Sequence, residues 1–247
     1  MRSRSISLVA LLTLGSLAAP AEAREVAPAE VVVLGTLHRM HDEIPSYDFG
    51  QLERIVEGLE PDVLCVELQP ADLESRPDEP NKQEYPRVIY PLIDKRRYRV
   101  YALEPAEPLF SELLGPYVEA NRRFVASQAE QSALLGAFVE STYAVLKRYW
   151  KSPVEVNDEL TDRVFRAKHD LQAALVGPGE VQGWESWNRH FLDVVETAAL
   201  ENPGKRVLVL VGAEHAYWLR AQLVSSERLR LVDTAKLLRD LLEIPDT

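Results

Sequence analysis

Four short apolar segments alternate along the chain with longer segments whose hydrophobic residues recur at helical spacing. The short segments, at 30–34, 62–68, 99–103 and 206–211, are rich in Val and Leu and show no regular polar alternation. This pattern is typical of strands that helices cover on both faces. A fifth segment, 228–232, alternates polar and apolar residues, which predicts an edge strand.

The segments between the strands predict helices at 49–59, 83–98, 214–223 and 234–242. Repeated strand–helix–strand units favour parallel strands joined by right-handed crossovers. We therefore predict an α/β fold with a mainly parallel central sheet flanked by helices. Residues 107–202 carry no strand pattern and predict a large all-helical insertion before the last strong strand. Its predicted helices are 107–149, broken at Pro116, then 156–175 and 184–200, with a loop at 177–179.

Residues 1–23 have the pattern of a secretory signal peptide. A basic start at Arg2 and Arg4 precedes an apolar run at 6–19, and Ala21 and Ala23 form a small-x-small cleavage site. We expect cleavage before Arg24, a single α/β domain at 24–247 and a periplasmic or secreted location. No later segment is long and apolar enough to span a bilayer.

The composition narrows the class of protein further. A hydrophobic share of 46%, with 11 Gly and 16 Pro, is that of a globular chain. A net charge of -11 without a strongly basic run argues against a nucleic-acid partner. Cys65 is the single cysteine, which excludes an intrachain disulfide and a Cys-rich metal site.

Candidate chemistry follows the strong strands directly. The first strand runs into a Gly-Thr-Leu-His segment ending at His38, and the fourth into a Gly-Ala-Glu-His segment ending at His215. Glu67 ends the second strand and Glu104 follows the third. Ligands bind at the carboxyl ends of strands in open parallel sheets, so we expect these four side chains to share one edge.

Two imidazoles with carboxylates suit a divalent ion such as Mn, Zn, Co or Fe. We predict His38, Glu67 and His215 as metal ligands that hold an activated water, with Glu104 as a further ligand or general base. A plainer interpretation is that Glu67 caps a neighbouring helix and that the two His are independent polar residues at loop starts. No other cofactor is predicted.

Three further residues are weaker candidates for the site. His41 forms a His-x-x-His pair with His38, Glu107 lies three residues after Glu104, and Glu214 precedes His215. Glu107 is equally placed to be an acid in the first turn of a helix.

The Gly35/His38 and Gly212/His215 pairs, together with Glu67, resemble the motifs of a known superfamily. It contains the TraB proteins, the Tiki proteases, the erythromycin esterases and the ChaN iron-regulated lipoproteins. The GTLH and VGAEH segments look most like the TraB and Tiki branch. The resemblance implies one cleft containing both His and the Glu. Within the superfamily it implies metal-dependent proteolysis in Tiki members, lactone opening in the esterases and haem binding in ChaN.

Two positions refine the resemblance. Arg189 matches an Arg in the helix before the last strong strand, where its guanidinium would hold a substrate carboxylate or stabilise an oxyanion. Glu214 departs from the usual VGAGH motif by replacing its second Gly. That Glu either crowds the site or adds a carboxylate to it.

The leading prediction is an exported, metal-dependent hydrolase of ester or amide bonds, with a small-molecule or peptide substrate. Peptide cleavage is implied only through the Tiki resemblance. The same residues also fit a metal-free esterase in which His38 or His215 is the general base and Glu67 or Glu104 orients it. They fit, in addition, a non-catalytic periplasmic protein that binds haem or another ligand, and a plain interaction module on the same fold.

Overall fold

The computed structural model describes residues 27–245, so the predicted signal peptide at 1–23 lies outside the described residues. Five parallel strands form one sheet in the order β3-β2-β4-β1-β5. The predicted α/β class with a parallel sheet is confirmed, and the weak fifth strand lies at an edge as expected. The strands are β1 (Ala29–Thr36), β2 (Val63–Val66), β3 (Arg99–Ala102), β4 (Arg206–Gly212) and β5 (Leu229–Leu231).

The helices that flank the sheet follow the sequence pattern closely. Helix α1 (Phe49–Leu59) has the predicted bounds, and the Asp48 side chain caps it by accepting a hydrogen bond from the backbone N–H of Gln51. The predicted helix at 83–98 is instead a π-helical turn, Tyr85–Ile89, that continues into α3 (Tyr90–Lys95). The other flanking helices are α2 (Pro70–Ser75), α3 (Tyr90–Lys95), α9 (Ala213–Leu223) and α10 (Thr234–Leu242).

The large helical insertion between β3 and β4 is confirmed. Helix α4 (Leu109–Ser127) continues through Pro116, and the break comes at Gln128 instead. Directly after Pro116, Tyr117 packs so closely on Gly183 that a Cβ there would overlap the Tyr117 side chain. This packing supports the helix through the proline. The insertion consists of α4 (Leu109–Ser127), α5 (Ala129–Tyr149), α6 (Pro153–Val156), α7 (Glu159–Val176) and α8 (Pro178–Glu201).

The loop predicted at 177–179 is shorter than expected. Gly177 has a φ of 95° and precedes α8, while Pro178 occupies its first turn. Proline is favoured at the first helical position because its fixed φ suits the helix and an N–H is not needed there.

The core lies on both sides of the central strands. Val207 to Val211 of β4 are fully buried, as are Val31 to Leu34 of β1. Helices α8 and α9 both contact these two strands. Among residues 27–245, no helix combines the length and the apolar character needed to cross a lipid bilayer.

Candidate functional site

The four residues predicted at strand ends follow four adjacent strands, β3, β2, β4 and β1. Strand β4 pairs with β1 so that Gly212 stands opposite Thr36, and it pairs with β2 so that Leu210 stands opposite Val66. Glu67 therefore follows β2 at nearly the level where His38 follows β1. The parallel register brings together side chains that are far apart in sequence.

His38 is held by a carboxylate that the sequence analysis did not identify. Its Nδ1 lies 2.7 Å from Oε1 of Glu84, and the Thr36 hydroxyl donates to the same oxygen at 2.9 Å. Glu84 is fully buried, and its Oε2 has no hydrogen-bond partner among the described residues. His38 Nε2 lies 3.8 Å from Oε2 of Glu67. The ring is thus fixed through Nδ1 and directs Nε2 towards a second carboxylate.

Residue 212 must be a glycine because it lies against the imidazole of His38. A Cβ at residue 212 would overlap Nε2 of His38. The Gly212 N–H also donates to Oε2 of Glu67 at 2.7 Å. The glycine of the second motif therefore makes room for the histidine of the first and anchors the carboxylate between them.

Lys82 is the cation shared by the carboxylates that follow β2 and β3. Its Nζ donates to the Glu67 carbonyl at 2.8 Å and to Oε1 of Glu104 at 2.5 Å, and lies 3.4 Å from Oε1 of Glu67. Burial raises the pKa of Glu67, but the charges of Lys82 and His38 and the Gly212 N–H lower it to about 2. Burial raises the pKa of Glu104, against the opposing effect of Lys82. Glu104 thus serves mainly to hold Lys82.

His215 has a different environment. Its Nδ1 lies 2.8 Å from Oδ1 of Asn188, whose Nδ2 donates to the Trp184 carbonyl at 2.8 Å. The amide orientation therefore makes Asn188 Oδ1 an acceptor, so Nδ1 of His215 carries the proton and Nε2 has the free lone pair. The Trp184 ring stacks on the imidazole at 4.8 Å between centroids.

The two imidazoles have pKa values shifted in opposite directions. Burial lowers the pKa of His38, but the carboxylates of Glu84 and Glu67 outweigh burial and raise it to about 9. Burial dominates at His215 and lowers its pKa to about 4, although Glu67 and Glu214 oppose the shift. At neutral pH, His38 is an imidazolium and His215 is a neutral imidazole.

Both imidazoles line one cavity of about 180 Å³ at the sheet edge. An outer groove of about 600 Å³ shares Leu37, His38, Met40 and Tyr143 with this cavity, so it provides a route to His38. The cavity is lined by Thr36, Leu37, His38, Met40, Tyr143, Trp150, Phe165, Gly212, Ala213, Glu214 and His215.

Glu214, which is half-buried, lies at the centre of a polar cluster beside this cavity. Lys168 Nζ donates to its Oε2 at 2.6 Å, His169 Nε2 lies 3.1 Å from the same oxygen, and the Tyr143 hydroxyl donates to Oε1. Burial raises the pKa of Glu214, but His169 and Lys168 outweigh it and keep the carboxylate ionised. Glu214 therefore links the insertion helices α5 and α7 to the sheet edge.

Two of the weaker candidates, His41 and Glu107, lie in other surroundings. His41 is buried, with Nε2 accepting from the Leu37 N–H at 3.0 Å and Nδ1 donating to the Tyr47 carbonyl at 2.5 Å. Both of its nitrogens are thus used by the backbone. Glu107 lies two residues before α4 and accepts from the N–H of Ser111 at 3.2 Å and from its hydroxyl at 2.8 Å, so its carboxylate bonds to the start of that helix.

Arg189 lies on an exposed part of α8. Its guanidinium lies over the ring of Trp218, 5.2 Å from the centroid. Arg189 is not among the residues that line the cavity containing His38 and His215. The structure therefore places it apart from the two imidazoles.

Sequence reasoning missed Glu84, Lys82 and Asn188. None of them follows a strand, which was the signal that identified the other residues. Glu84 and Lys82 precede the π-helical turn, and Asn188 lies in the middle of α8. Asn188 lies one position before Arg189, so the family resemblance indicated the correct turn of α8 but the neighbouring residue.

The donor set has the chemistry that a divalent ion requires. Each imidazole has its Nδ1 bonded to an oxygen and its Nε2 directed elsewhere, as in metal-ligating histidines with a carboxylate or amide partner. Between residues 27 and 245, however, no group of three or more His, Cys, Asp or Glu side chains is arranged to hold an ion. Lys82 already occupies a cation position beside Glu67.

The fold and the site together define an α/β protein with a parallel sheet and a polar cleft at the carboxyl ends of its strands. Comparison with protein-family models, with curated proteins and with solved structures found no match to this chain. The resemblance to the TraB and Tiki branch therefore stays a prediction from the motifs.

Proposed function

We propose that the protein is a hydrolase of an ester or amide bond in a small-molecule or peptide substrate, and that it uses its two imidazoles as an acid–base pair. The observation that carries the proposal is the shared cavity: His38 and His215 line the same 180 Å³ space with pKa values of about 9 and about 4. A pair of titratable groups with separated pKa values is the arrangement that general acid–base catalysis needs.

The neutral His215 is the proposed general base. Its Nε2 accepts a proton from water while the water oxygen bonds to the substrate carbonyl carbon, and Asn188 holds the tautomer through Nδ1. The imidazolium of His38 then donates its Nε2 proton to the leaving oxygen or nitrogen as the scissile bond breaks. Glu84 keeps His38 protonated and oriented, as a positioning residue.

The start of helix α9 supplies positive potential at the same place. Gly212, Ala213 and Glu214 border the cavity, and the first N–H groups of an α-helix have no partner within that helix. These groups favour the negative charge that develops on a carbonyl oxygen during attack. Arg189 has no part in this proposal, because its guanidinium lies over Trp218.

The test is hydrolysis of a panel of chromogenic esters and amides by the wild type, His38→Ala and His215→Ala. Loss of a general acid or base lowers kcat/KM by about 10²- to 10⁴-fold. His190→Ala is the matched control, because His190 does not line the cavity. EDTA should leave the activity unchanged. Equal activity in wild type and both variants, or no hydrolysis by the wild type across the panel, would contradict the proposal.

A metal-dependent hydrolase is the second candidate. The 3.8 Å between His38 Nε2 and Glu67 Oε2 favours it, as does the Nδ1 bond of each imidazole, which leaves Nε2 for an ion. His38, Glu67 and His215 would hold Mn, Zn, Co or Fe, and such a centre supplies a bound water of lowered pKa. Elemental analysis of protein purified without a His tag or chelator tests it. Stoichiometric metal that is lost in His38→Ala and His215→Ala, with EDTA-sensitive activity, would favour this candidate over the first.

We also propose that the protein is exported, from the pattern of residues 1–23. Expression of the full chain in a bacterial host, followed by N-terminal sequencing of the product, tests this. A mature chain that begins at Arg24 supports export, and an intact start at Met1 contradicts it.

A further inference from the structure

A second cavity of about 270 Å³ lies among helices α4, α7, α8 and α9 and shares Glu214 and His215 with the first. Its walls are apolar and largely aromatic, whereas polar side chains line the end nearest His215. The wall residues are Leu113, Leu114, Tyr117, Gly183, Trp184 and Trp187. Of the residues that line it, the catalytic scheme uses the imidazole of His215 and the backbone of Glu214 at the start of α9.

The size and flat wall of this second cavity suit a planar ring. An apolar cavity of about 150 Å³ is large enough for benzene, so about 270 Å³ accommodates one or two fused rings. The Trp184 ring is nearly parallel to the rings of His169 and His215, at 20° and 15°. These three rings and that of Trp187 all line the cavity, and aromatic side chains attract a further aromatic ring.

The polar end of the cavity offers unused hydrogen-bond donors. Lys168 is only 6% exposed and lines the cavity, yet within residues 27–245 its ammonium makes one hydrogen bond, to Glu214. An ammonium has three N–H donors, so two are left for a ligand. Because Lys168 lines the cavity, a ligand oxygen inside it could accept from this ammonium.

The charge at the polar end of the cavity determines which hydrogen-bond acceptor on a ligand is favoured. Glu214 is ionised and 2.6 Å from the Lys168 ammonium, so the pair is close to neutral. A carboxylate ligand would bring an uncompensated negative charge beside Glu214. A neutral carbonyl oxygen accepts the same hydrogen bonds without that cost.

We infer that the second cavity binds an uncharged planar aromatic group that carries a carbonyl, which makes aromatic esters or amides the substrate class. The assignment of this ligand as a substrate rests on the proposed hydrolase function, whereas its binding does not. The neighbouring His215 would then face the carbonyl carbon of a ring-linked ester or amide.

The experiment is isothermal titration calorimetry with 2-acetylnaphthalene, a ketone that cannot be hydrolysed, so binding is measured independently of turnover. We expect it to bind about three- to tenfold more tightly than 2-ethylnaphthalene, the value of one net hydrogen bond. Naphthalene-2-carboxylate should bind more weakly than the ketone. Failure of the wild type to bind the ketone, or tighter binding of the carboxylate, would overturn the inference.

Two variants locate the binding. Leu114→Trp fills the cavity and should weaken ketone binding by at least about tenfold, while Val118→Ala, an exposed position on the same helix, is the control. Lys168→Met should remove the preference for ketone over hydrocarbon. Because Lys168→Met can unfold the protein by leaving Glu214 without its cation, Leu114→Trp carries the test alone if needed. Unchanged ketone affinity in Leu114→Trp would place the ligand elsewhere.

His38→Ala separates the inference from the proposed function. This variant should still bind the ketone while losing hydrolysis of naphthalene-2-carboxylate esters. Binding without any hydrolysis by the wild type supports the cavity and contradicts the hydrolase. Hydrolysis of aliphatic esters without binding of the ketone supports the hydrolase and contradicts the cavity.

Discussion

The two halves of the cleft contain the same functional group in opposite surroundings. His38 lies among carboxylates at the ends of β1 and β2, with Glu84 on one nitrogen and Glu67 near the other. His215 lies between the sheet and the helical insertion, with an uncharged amide on Nδ1 and an indole on its face. Negative charge raises the pKa of one imidazole and burial lowers that of the other, so one cavity holds both an acid and a base.

The cation that stabilises the carboxylate half is expected to have the largest effect on folding. Lys82→Met leaves Glu67 and Glu104 buried without their shared partner, and breaking a buried ion pair costs about 3–5 kcal/mol in the free energy of unfolding. Urea unfolding at pH 7 measures it. Lys147→Met is the control, because its pair with Glu43 is partly exposed and worth about 0–1 kcal/mol. Equal losses in the two variants would show that the carboxylates at the site do not depend on Lys82.

The contact between the halves is tested at Gly212. Gly212→Ala forces the His38 ring to move, because the added Cβ overlaps Nε2, and overpacking costs about 1–3 kcal/mol. Hydrolysis should fall with stability, since His38 loses its position. Gly136→Ala, in an open position within α5, should instead gain about 0.5–1 kcal/mol. Thermal unfolding and kcat/KM of both variants measure these effects. Full activity in Gly212→Ala would contradict the close packing of residue 212 on His38.

Changing the charge of the residue bonded to each Nδ1 should bring the pKa values of His38 and His215 closer together. Glu84→Gln removes a charge from His38 and should lower its pKa from about 9, whereas Asn188→Asp adds a charge to His215 and should raise its pKa from about 4. Under the acid–base proposal, kcat/KM of the wild type is bell-shaped between these values. Glu84→Gln should move the alkaline limb to lower pH, and Asn188→Asp should move the acid limb to higher pH. NMR titration of the imidazole resonances checks the assignment, and limbs that stay in place would exclude these residues as the acid and base.

The pH dependence of the free energy of unfolding should also separate the two imidazoles. The raised pKa of His38 stabilises the fold below its ordinary value of 6.5, and this contribution is lost as pH rises through about 9. The lowered pKa of His215 acts oppositely: its contribution is present above 6.5 and is lost as pH falls from 6.5 towards 4. Chemical denaturation across pH 4–9 should therefore show a slope below 6.5 that His215→Gln reduces and a slope above 6.5 that His38→Gln reduces. Identical profiles for both variants would contradict the opposite shifts.

Much of the architecture is readable from local pattern. The buried runs of Val and Leu predict the strands, and the spacing of Phe49, Leu52 and Ile55 predicts α1 with the bounds observed. The predicted break at Pro116 was wrong because α4 packs on α8 at Tyr117 and Gly183. Proline is expected to break a helix because it lacks a backbone N–H and its ring clashes with the preceding turn. The contact between α4 and α8 could not be predicted from the sequence pattern.

The candidate site likewise contains residues that the sequence pattern predicts and residues that only the structure identifies. His38, Glu67 and His215 are predictable because they follow buried strands, and parallel strands of one sheet end at one edge. Glu84 and Asn188 have no such position. Glu84 is 46 residues from His38 and Asn188 is 27 from His215, and only packing brings each to its imidazole.

Residue order therefore decides which groups reach the sheet edge, because hydrophobic periodicity sets the strands and each strand presents the residue that follows it. The protonation of those groups depends on the charges and burial around them, which belong to the three-dimensional arrangement. Two Gly-x-x-His segments that look equivalent along the chain thus become an imidazolium and a neutral imidazole, because folding places Glu84 beside one and Asn188 with Trp184 beside the other.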